Sequence, residues 1–421
     1  MSNPSFESLA LSEPIQRALR DRDYTIPSPI QLQTIPLVLA GHDVMGCAQT
    51  GTGKTAAFAL PILEHLSQNP GAERRRNAPR VLVIAPTREL ASQIQASFAA
   101  YGRHLPFHST VIFGGVGQNP QVRALQRGPE VVVATPGRLL DLLQQGHLTL
   151  RHLEVFVVDE ADRMLDMGFI HDVRRIIALL PARRQSLFFS ATLPRSILDL
   201  AGAILKNPRH VEVTPSATTV EKIDQSICHV ASADKRQLLD HLLRERGDGL
   251  ALVFSATKHG ANRLADQLTK AGLPADAIHG NKSQNARERA LENFRSGRIR
   301  ILVATDIAAR GIDVKGIDLV INHDLPKEPE SYVHRIGRTA RAGAEGRAIS
   351  ICDENSWSLL VQIERVIQSP IPVHREHPYH REPSAETRSR TATPPQRSRR
   401  QAQGGGNRRF RSRNAAPSRR R

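Results

Sequence analysis

Short apolar runs alternate with amphipathic stretches along most of the chain. In its first half, the runs typical of buried strands are RVLVIAP (80–86), STVIFGG (109–115), EVVVAT (130–135), VFVVDE (155–160) and QSLFFSAT (185–192). Segments between them, such as ELASQIQASFAAYG, have the spacing of amphipathic helices. Continuous apolar strands separated by helices predict a parallel sheet that is covered by helices on both faces.

The same pattern starts again in the second half of the chain. There the apolar runs are LALVFSAT (250–257), ADAIHG (275–280), IRILVATD (299–306), IDLVINHD (317–324) and GRAISIC (346–352). Between the two series lies TPSATTVEK (214–222), which is polar and β-branched and reads as a linker. We therefore predict an α/β chain of two parallel-sheet domains, 1–214 and 223–370, joined by a linker at 215–222. Matching architectures in one chain also predict a cleft between the domains.

The segment 371–421 differs in composition from the rest of the chain. It contains 14 Arg, no Lys and 3 Glu, a net charge of +11, so the other residues carry 17 − 11 = +6. Because it is rich in Pro, Ser, Gly and Gln, it is predicted to be a disordered basic tail. A merely solubilising tail is the alternative to one that binds nucleic acid. Its positive charge comes only from Arg, which favours nucleic acid, since a guanidinium group can bind phosphate with two hydrogen bonds and can stack on bases.

Charge and residue content narrow the class of protein. The net charge of +17 favours a polyanionic partner, either nucleic acid or an anionic membrane surface. No apolar run approaches the roughly 18 residues of a transmembrane helix, and MSNPSFESLALSEPIQ lacks the features of a signal peptide. Three widely spaced cysteines predict a reducing, cytoplasmic setting without disulfides, and no metalloprotease or zinc-finger spacing is present.

A phosphate-binding loop is predicted at AQTGTGKT, residues 48–55. The stretch departs from G-x-x-x-x-G-K-[ST] only at the first position, and its members are Ala48, Gln49, Thr50, Gly51, Thr52, Gly53, Lys54 and Thr55. The glycines let backbone N–H groups converge on phosphate oxygens at the start of a helix. Lys54 can reach the β- and γ-phosphates, and the Thr55 hydroxyl can bind Mg²⁺. The alternative is a chance glycine-rich turn.

The stretch EVFVVDEADRML (154–165) places carboxylates at the tip of an apolar strand. Asp159 fits the acid that holds Mg²⁺, through water, opposite a phosphate-binding loop. Glu160 is then placed to orient or deprotonate the attacking water. A solvated strand end would explain the acid pair alone, but its pairing with the loop predicts hydrolysis of a nucleoside triphosphate.

VDEAD (158–162) resembles the signature of the DEAD-box RNA helicases, and further motifs of that family follow in order over residues 6–350. They are Phe6 with YTIPSPIQ (24–31), PTREL (86–90), GG (114–115), TPGR (135–138), SAT (190–192), VFSAT (253–257), QNAR (284–287), ATDIAARGID (304–313) and HRIGRTAR (334–341). The resemblance implies two RecA-like domains and RNA helicase activity that depends on ATP and Mg²⁺. DRMLDMGFIHDVRRI and IHGNKSQ further resemble the bacterial RhlE-type branch.

The resemblance also implies how the nucleotide is recognised. Phe6, Tyr24 and Gln31 would form the adenine site, with Tyr24 stacking on the base and Gln31 reading its N6 and N7 edge; alone, Gln31 would read as a surface residue. Asp313 would contact the ribose, or otherwise cap a strand or turn. Arg338 and Arg341 are three residues apart, so on a helix they share a face. They would act as arginine fingers on the γ-phosphate, the alternative being a solvated basic helix.

The residues that the resemblance assigns to RNA are Arg88, Gly114, Gly115, Thr135, Gly137 and Arg138 in the first domain and Thr257, Gln284, Arg287 and Thr305 in the second. The glycines would let backbone approach backbone, and the Thr and Arg side chains would donate to phosphate and sugar. Few aromatics lie among them, which predicts low sequence specificity; ordinary tight turns are the alternative for the glycines. Ser190 and Thr192 would couple hydrolysis to unwinding.

Three positions depart from the family pattern. Asp23 stands where Gly is usual, Ala340 where Gly is usual between the two proposed fingers, and His323 where Tyr or Phe is common. If the backbone at Ala340 is helical, alanine should be tolerated there.

We therefore expect an ATP-dependent RNA helicase that opens short duplexes locally and is tethered to RNA by its basic tail. A nucleotide-dependent RNA clamp that recruits partners is a second reading, because the same motifs serve both uses. A DNA-translocating helicase is a third, against which Gln31 and the whole motif set argue. The family resemblance allows partners in ribosome assembly or RNA decay, and we expect no membrane association and a monomeric core.

Overall fold

The structure, a computed structural model, describes residues 4–48, 51–70, 75–213, 223–309, 314, 316–339, 346–382 and 384 of the chain. In the first domain the strands are β1 (Val44–Cys47), β2 (Val81–Ile84), β3 (Ser109–Ile112), β4 (Val131–Ala134), β5 (Val155–Val158), β6 (Gln185–Ser190) and β7 (Arg209–Glu212). The helices are α1 (Glu13–Arg20), α2 (Pro29–Leu39), α3 (Lys54–Gln68), α4 (Arg88–Tyr101), α5 (Asn119–Gln126), α6 (Pro136–Gln144), α7 (Ala161–Asp166), α8 (Ile170–Ile177) and α9 (Arg195–Ile204).

The seven strands form one parallel sheet in the order β3-β4-β2-β5-β6-β1-β7. Two apolar cores lie on its opposite faces, one around Phe58, Phe98 and Phe189 and the other around Phe156 and Phe188. Each central strand contributes alternate residues to both cores, which is why its sequence is apolar throughout. The five strands predicted for this half of the chain are confirmed as β2 to β6.

The second domain repeats this architecture. Its strands are β8 (Ile223–His229), β9 (Leu250–Phe254), β10 (Ala275–Ile278), β11 (Ile301–Ala304), β12 (Ile317–Asn322) and β13 (Gly346–Cys352), and its helices are α10 (Lys235–Glu245), α11 (Lys258–Lys270), α12 (Gln284–Arg295), α13 (Asp306–Ala309), α14 (Glu330–Ile336) and α15 (Trp357–Ile367). The sheet is parallel, in the order β10-β11-β9-β12-β13-β8, and again has a core on each face.

The predicted class of two α/β domains with helices on both faces is therefore confirmed, and so are the five strands predicted for the second half. The strands β7 and β8 were not predicted. Both are edge strands, and their sequences, RHVE and IDQSICH, are interrupted by polar residues because one side of each strand is partly exposed.

Residues 371–382, here called the C-terminal strap, pack against the second sheet. The Ile227 N–H of β8 donates to the Pro372 carbonyl at 2.9 Å, and the Ile227 carbonyl accepts from the His374 N–H at 2.9 Å. Ile371 is buried in the core of the second domain. The prediction of a disordered tail from residue 371 is therefore wrong for the strap, because burial and strand pairing offset the entropy of ordering it.

The remainder of the predicted tail, apart from residue 384, lies outside the described residues, as does the predicted linker at 215–222. In the part of the chain that the structure describes, no helix is long and apolar enough to cross a membrane.

Candidate functional site

Three of the predicted motifs follow neighbouring strands of the first sheet. The phosphate-binding loop follows β1, the SAT motif (190–192) begins at the end of β6, and Asp159 and Glu160 follow β5. These strands are adjacent in the order β5-β6-β1. Because they are parallel, their carboxyl ends meet at one edge of the sheet, where ligands bind in open α/β sheets.

The described part of the phosphate-binding loop has the backbone that phosphate binding requires. Gly51 and Gly53 have φ angles of 89° and 97°, in the left-handed region that favours glycine. The Lys54 side chain is 5% exposed, and its Nζ has no hydrogen-bond partner among the described residues. A buried, unpartnered ammonium beside N–H groups at a helix start fits a phosphate group. Gln49 and Thr50 lie outside the described residues.

Gln31 and Ser28 connect the start of α2 to the loop. The Gln31 Oε1 accepts from the Ser28 N–H at 2.8 Å, and the Gln31 Nε2 donates to the Gly53 carbonyl at 3.1 Å. The Ser28 hydroxyl donates to the Thr52 carbonyl at 2.7 Å. Gln31 is 5% exposed, so the surface-residue alternative is wrong. Its adenine-reading role stays a prediction.

The two aromatic residues predicted for the adenine site lie together. The Phe6 ring is 2% exposed and lies 6.1 Å from the Tyr24 ring, centroid to centroid. Tyr24 also contacts Tyr101, with the two hydroxyl oxygens 3.3 Å apart. Phe6 is thus a core residue that packs against Tyr24. Tyr24 is partly exposed, so of the two rings its ring is the one that solvent can reach.

Asp159 and Glu160 are each 2% exposed at the tip of β5. Burial raises the pKa of Asp159 to about 6, against the attraction of Lys54. Burial also opposes ionisation of Glu160, but the Arg163, Lys54 and Arg338 guanidinium and ammonium charges prevail and lower its pKa to about 2. Glu160 has a φ of 54°, an unfavourable backbone for a residue with a side chain, and such strain concentrates at functional sites.

Two residues of this stretch were not assigned roles from the sequence. Arg163 forms a buried ion pair with Glu160, and their i, i+3 spacing was the feature of the sequence that could have indicated this pair.

Asp162 is hydrogen-bonded to the SAT motif. Its Oδ2 accepts from the Ala191 N–H at 3.2 Å, the Thr192 N–H at 3.2 Å and the Thr192 hydroxyl at 3.3 Å. The Ser190 hydroxyl accepts from the Asp162 N–H at 3.3 Å and donates to the Thr192 carbonyl at 2.7 Å. The loops after β5 and β6 therefore form one hydrogen-bonded unit.

Among the described residues, no group of three or more His, Cys, Asp or Glu side chains could hold a metal ion by itself. A site for Mg²⁺ needs only one or two protein oxygens, because water and substrate phosphates fill the remaining positions. The Asp159 carboxylate and the Thr55 hydroxyl are the predicted ligands. Both follow strands or turns at the edge where the buried Lys54 ammonium also lies, so the residues present fit a magnesium–nucleotide complex.

Most of the predicted RNA contacts of the first domain line one open cleft of about 420 Å³. Its lining residues are Pro86, Thr87, Arg88, Glu89, Gly114, Thr135, Gly137, Arg138, Asp141, Met167, Phe169 and Arg287. The φ of 75° at Gly115 favours glycine, and a Cβ there would also meet the end of the Arg88 side chain at 2.2 Å. Arg138 Nη1 and Arg287 Nε are buried donors without partners among the described residues. Such donors fit phosphate oxygens.

The second domain contributes Arg287 to this cleft, next to Gln284 on α12. The Arg287 Nη2 lies 2.8 Å from Glu89 Oε2. Thr257 and Thr305, the other predicted contacts of this domain, lie at the ends of β9 and β11; the Thr257 hydroxyl caps α11 by accepting from the Gly260 N–H at 2.9 Å. Neither threonine lines the cleft.

The predicted arginine fingers are only partly placed. Arg338 is 4% exposed and is among the charges that lower the pKa of Glu160 in the first domain. The prediction that Arg338 shares a helical face with Arg341 is wrong at Arg338, because α14 ends at Ile336 with Gly337 as its cap and Arg338 lies in the following turn. Arg341, Ala340 and Asp313 lie outside the described residues.

Arg335, which the sequence did not single out, holds the second domain together beneath this turn. Its guanidinium donates to Asp306 Oδ2 at 2.7 Å, to Asn322 Oδ1 at 3.1 Å and to the Asp324 carbonyl at 2.6 Å, and lies 4.8 Å from the Phe254 ring centroid. The position of Arg335 on α14 did not indicate these partners, because they lie at the start of α13 and at the end of β12, which are distant in the sequence.

Comparison with known proteins agrees with this site. The family described as DEAD/DEAH box helicase matches residues 28–200, and the helicase conserved C-terminal domain matches residues 234–343. The chain is 44% identical over 369 residues to the ATP-dependent RNA helicase DeaD of Escherichia coli strain K12, covering 87% of this chain and 58% of that protein. It is 43% identical over 361 residues to the DEAD-box ATP-dependent RNA helicase CshA of Geobacillus kaustophilus, covering 86% and 76%. The chain thus spans little more than half the length of DeaD.

Solved structures show the same two-domain fold. Dbp5 of S. cerevisiae bound to RNA and ADP BeF3 is 32% identical, with a TM-score of 0.79 over 88% of this chain and 95% of that one. Mss116p bound to ssRNA and AMP-PNP is 28% identical, with a TM-score of 0.80 over 93% and 82%. The predicted RecA-like fold is confirmed, and the RhlE-type resemblance stays a prediction.

Proposed function

We propose that this chain, which belongs to the DEAD-box family of ATP-dependent RNA helicases, hydrolyses ATP in an RNA-stimulated reaction and opens short RNA duplexes locally. One observation carries the proposal. The loops after three adjacent parallel strands bring buried Lys54, Asp159 and Glu160 to one edge of the first sheet, and Lys54 Nζ has no hydrogen-bond partner among the described residues. A buried cation and a buried carboxylate pair arranged in this way suit triphosphate hydrolysis.

The chain's residues divide the work as follows. Backbone N–H groups around Gly53 and the Lys54 ammonium would bind the phosphates, while Asp159 and Thr55 would hold Mg²⁺. When bound, Mg²⁺ neutralises charge that develops on the phosphate oxygens. Glu160 is ionised near neutral pH, because Arg163, Lys54 and Arg338 hold its pKa at about 2, so its carboxylate can accept a hydrogen bond from the attacking water and orient it. Arg338 supplies a guanidinium from the second domain, and such a group is worth roughly 10³–10⁵ in rate.

The RNA side of the proposal rests on the cleft around Arg88, Arg138 and Arg287. Its unpartnered guanidinium donors and its glycines favour contacts to the phosphate backbone, which carry no base readout. The hydrogen bonds of Asp162 to Ala191 and Thr192 link this domain's acid loop to the SAT motif, which we propose couples hydrolysis to unwinding. A base-pair step is worth roughly 1.4 kcal/mol, so opening a few pairs is within reach of ATP-driven domain closure.

The test is steady-state ATPase activity of the whole chain without nucleic acid, with single-stranded RNA and with DNA of matched sequence. We expect strong stimulation by RNA alone and its loss in Glu160→Gln, which keeps the side-chain shape but removes the charge that orients the water. Glu130→Gln is the matched control, because Glu130 is a carboxylate of the same domain whose ion pair is with Arg80, outside this site. Equal stimulation by DNA, or activity that survives in Glu160→Gln, would contradict the proposal.

Duplex release separates a helicase from an RNA clamp. Multiple turnovers of strand separation with ATP, and little release with a non-hydrolysable analogue, are expected of a helicase. Retention of RNA without turnover would favour the clamp. We further propose a cytoplasmic, monomeric protein; the wide spacing of the three cysteines in the sequence favours a reducing compartment. Partners in ribosome assembly or RNA decay follow only from the family resemblance.

A further inference from the structure

The C-terminal strap crosses the edge of the second sheet from one face to the other. Ile371, at its start, is buried in the core that contains Phe254, whereas Tyr379, near its end, packs against the core on the opposite face. Between these two residues, Val373 pairs in parallel with Ile227 of β8. The strap is therefore held by apolar contacts at both ends and by pairing with an edge strand between them.

Three histidines lie on the strap at a spacing of three residues, His374, His377 and His380. The His377 ring centroid is 5.8 Å from that of His374 and 5.7 Å from that of His380. A fourth imidazole, His241 of α10, contacts Tyr379 with ring centroids 6.4 Å apart and is close enough for its charge to act on His377. His377 is 8% exposed, so it is a buried imidazole with three others near it.

The hydrogen bonding of His377 decides which ring nitrogen carries the proton. Its Nδ1 accepts from the Tyr379 N–H at 3.3 Å, so the neutral ring carries its proton on Nε2. That Nε2 is buried and has no hydrogen-bond partner in the described part of the chain. A second proton would enter at Nδ1 and point at the Tyr379 N–H, so two donors would meet. Protonation of His377 therefore breaks the turn that places Tyr379 against the core.

Electrostatics act in the same direction as this geometry. Burial lowers the pKa of His377 to about 4, and the charges of His374, His380 and His241 lower it further, while Glu245 of α10 opposes them weakly. The other charged or titratable groups that contact the strap or its neighbours are Arg375, Arg381 and Glu382 on the strap, His229 on β8 and Glu354 before α15. In the described chain, no carboxylate is hydrogen-bonded to His377, so no acid there compensates a charge on its ring.

The nearby acids are already paired with other groups. Glu382 lies 3.3 Å from both the Arg375 and the His380 side chains, and all three belong to the strap, so this cluster can move with it. Glu245 lies 3.3 Å from His241 within α10. These pairs do not depend on the strap being docked, and His377 is the histidine whose charge conflicts with docking.

Two other roles for a group of histidines make different predictions. A metal centre requires side chains arranged around one point, and among the residues that the structure describes no three His, Cys, Asp or Glu side chains are placed to hold an ion. A passive role, in which the rings only fill space, predicts that docking of the strap is the same at neutral and at mildly acidic pH.

We propose that His377 is a pH-sensitive switch: the strap stays docked while its ring is neutral and is released from β8 and α10 when the ring takes up a proton. On the released strap the ring is in water and regains its ordinary pKa of 6.5. Docking is therefore unaffected above about pH 6.5 and weakens as the pH falls from there toward 4, because the released state binds more protons. The basic segment 383–421 follows the strap directly, so release also frees its point of attachment. This inference does not depend on the proposed function.

The experiment is amide hydrogen exchange of the whole chain, followed by mass spectrometry of strap peptides and corrected for the intrinsic effect of pH on exchange. The His374 and Arg381 N–H groups donate to the carbonyls of Ile227 and His229, so their exchange reports release. From about pH 7.5 to about pH 5.5, their protection should fall about tenfold, as expected for one proton taken up on release. Amides of the central strand β9 should keep their protection, which separates release from unfolding of the domain.

His377→Asn is the deciding variant. The Asn Oδ1 can still accept from the Tyr379 N–H but cannot take up a proton, so strap protection should be the same at both pH values. His374→Asn is the matched control. It removes another imidazole of the cluster but keeps the backbone bond to Ile227 and the titrating His377 ring, so most of the tenfold loss should remain.

Each outcome decides for or against the switch. An equal loss of protection in His377→Asn and the unaltered protein would overturn it, and so would a loss that extends equally to β9. If His377→Asn is already released at neutral pH, proton NMR titration of the His377 ring in the unaltered chain replaces it, with the resonance identified by its absence in the variant. A midpoint well below 6.5 supports the switch, and a midpoint at the ordinary value overturns it.

Discussion

The side-chain amide of Gln31 donates from Nε2 to the Gly53 carbonyl at 3.1 Å, so the start of α2 is bound to the phosphate loop 22 residues further along the chain. Glycine is favoured at the loop position, because Gly53 has a φ of 97°, and a Cβ there would also lie 2.4 Å from the same Nε2. A side chain at position 53 would therefore displace the Gln31 amide. A ligand that moves Gln31 should in turn affect the predicted phosphate loop.

Gln31→Leu should raise the KM for ATP about tenfold. The substitution removes the hydrogen bonds of Gln31 to the Gly53 carbonyl and the Ser28 N–H, each worth roughly 0.5–1.5 kcal/mol, and a tenfold change corresponds to about 1.4 kcal/mol. Steady-state kinetics at saturating RNA measure it. Gln33→Leu, at an exposed position of the same helix, is the control and should leave KM as it is. An unchanged KM in Gln31→Leu would show that the bond does not shape the loop.

Asp162→Asn should destabilise the first domain by about 1–3 kcal/mol. Asp162 Oδ2 accepts three hydrogen bonds from Ala191 and Thr192, while Oδ1 accepts the Arg163 N–H, and an amide must turn a donor toward one of these sets. Scanning calorimetry should show a lower melting temperature. Asp199→Asn removes an exposed helical ion pair with Arg195 and should shift the free energy of unfolding by less than about 0.5 kcal/mol.

Asp23→Gly should stabilise the protein by about 0.5 kcal/mol, whereas Asp23→Ala should destabilise it by about 1 kcal/mol. Asp23 is exposed and has a φ of 56°, where glycine is unstrained and Asp is tolerated better than alanine. This explains why the family pattern has Gly at the position. Denaturant unfolding of the two variants side by side measures the difference. The reverse order of stability would contradict the backbone explanation.

Ending the chain after residue 370 should destabilise the second domain by about 3 kcal/mol, but ending it after residue 382 should not. The shorter form loses the buried Ile371 side chain and the bonds of the strap to Ile227 and His229. Trp357, the one tryptophan of the sequence, contacts His229 with ring centroids 5.2 Å apart and reports this unfolding by fluorescence. Equal midpoints for the two truncated forms would show that the strap adds nothing to stability.

The form ending at 382 also tests the proposed RNA tether. Residues 371–382 carry two Arg and two Glu, so the whole net charge of +11 lies in 383–421, which has 12 Arg and 1 Glu, and 12 − 1 = +11. Removing 383–421 should weaken RNA binding and flatten its salt dependence by about 0.7 log units per phosphate that the tail neutralises. An unchanged slope would contradict the tether, while RNA-stimulated ATPase should persist.

Much of the candidate site could be predicted from the sequence because its residues lie close together along the chain. Gly51, Gly53 and Lys54 of the predicted phosphate loop lie within four consecutive residues, and the acids at 159 and 160 directly follow an apolar run, so the local pattern is enough to predict their roles. The edge strands β7 and β8 and the order of the strap were not predicted, for the opposite reason. Their sequences are polar enough to read as loop or tail, and their order depends on pairing with strands that the local pattern does not identify.

The sequence by itself determined most of the element types, the doubled α/β architecture and the motifs from which nucleotide binding is predicted, since periodicity and motif spacing are properties of neighbouring residues. Only the tertiary structure decided which distant groups meet. The bonds between Asp162 and Thr192 depend on β5 lying beside β6, and the pairing of Glu89 with Arg287 depends on two separate sheets. Such contacts arise because burial of apolar faces sets the order and apposition of the elements, and the polar side chains at their ends are brought together as a consequence.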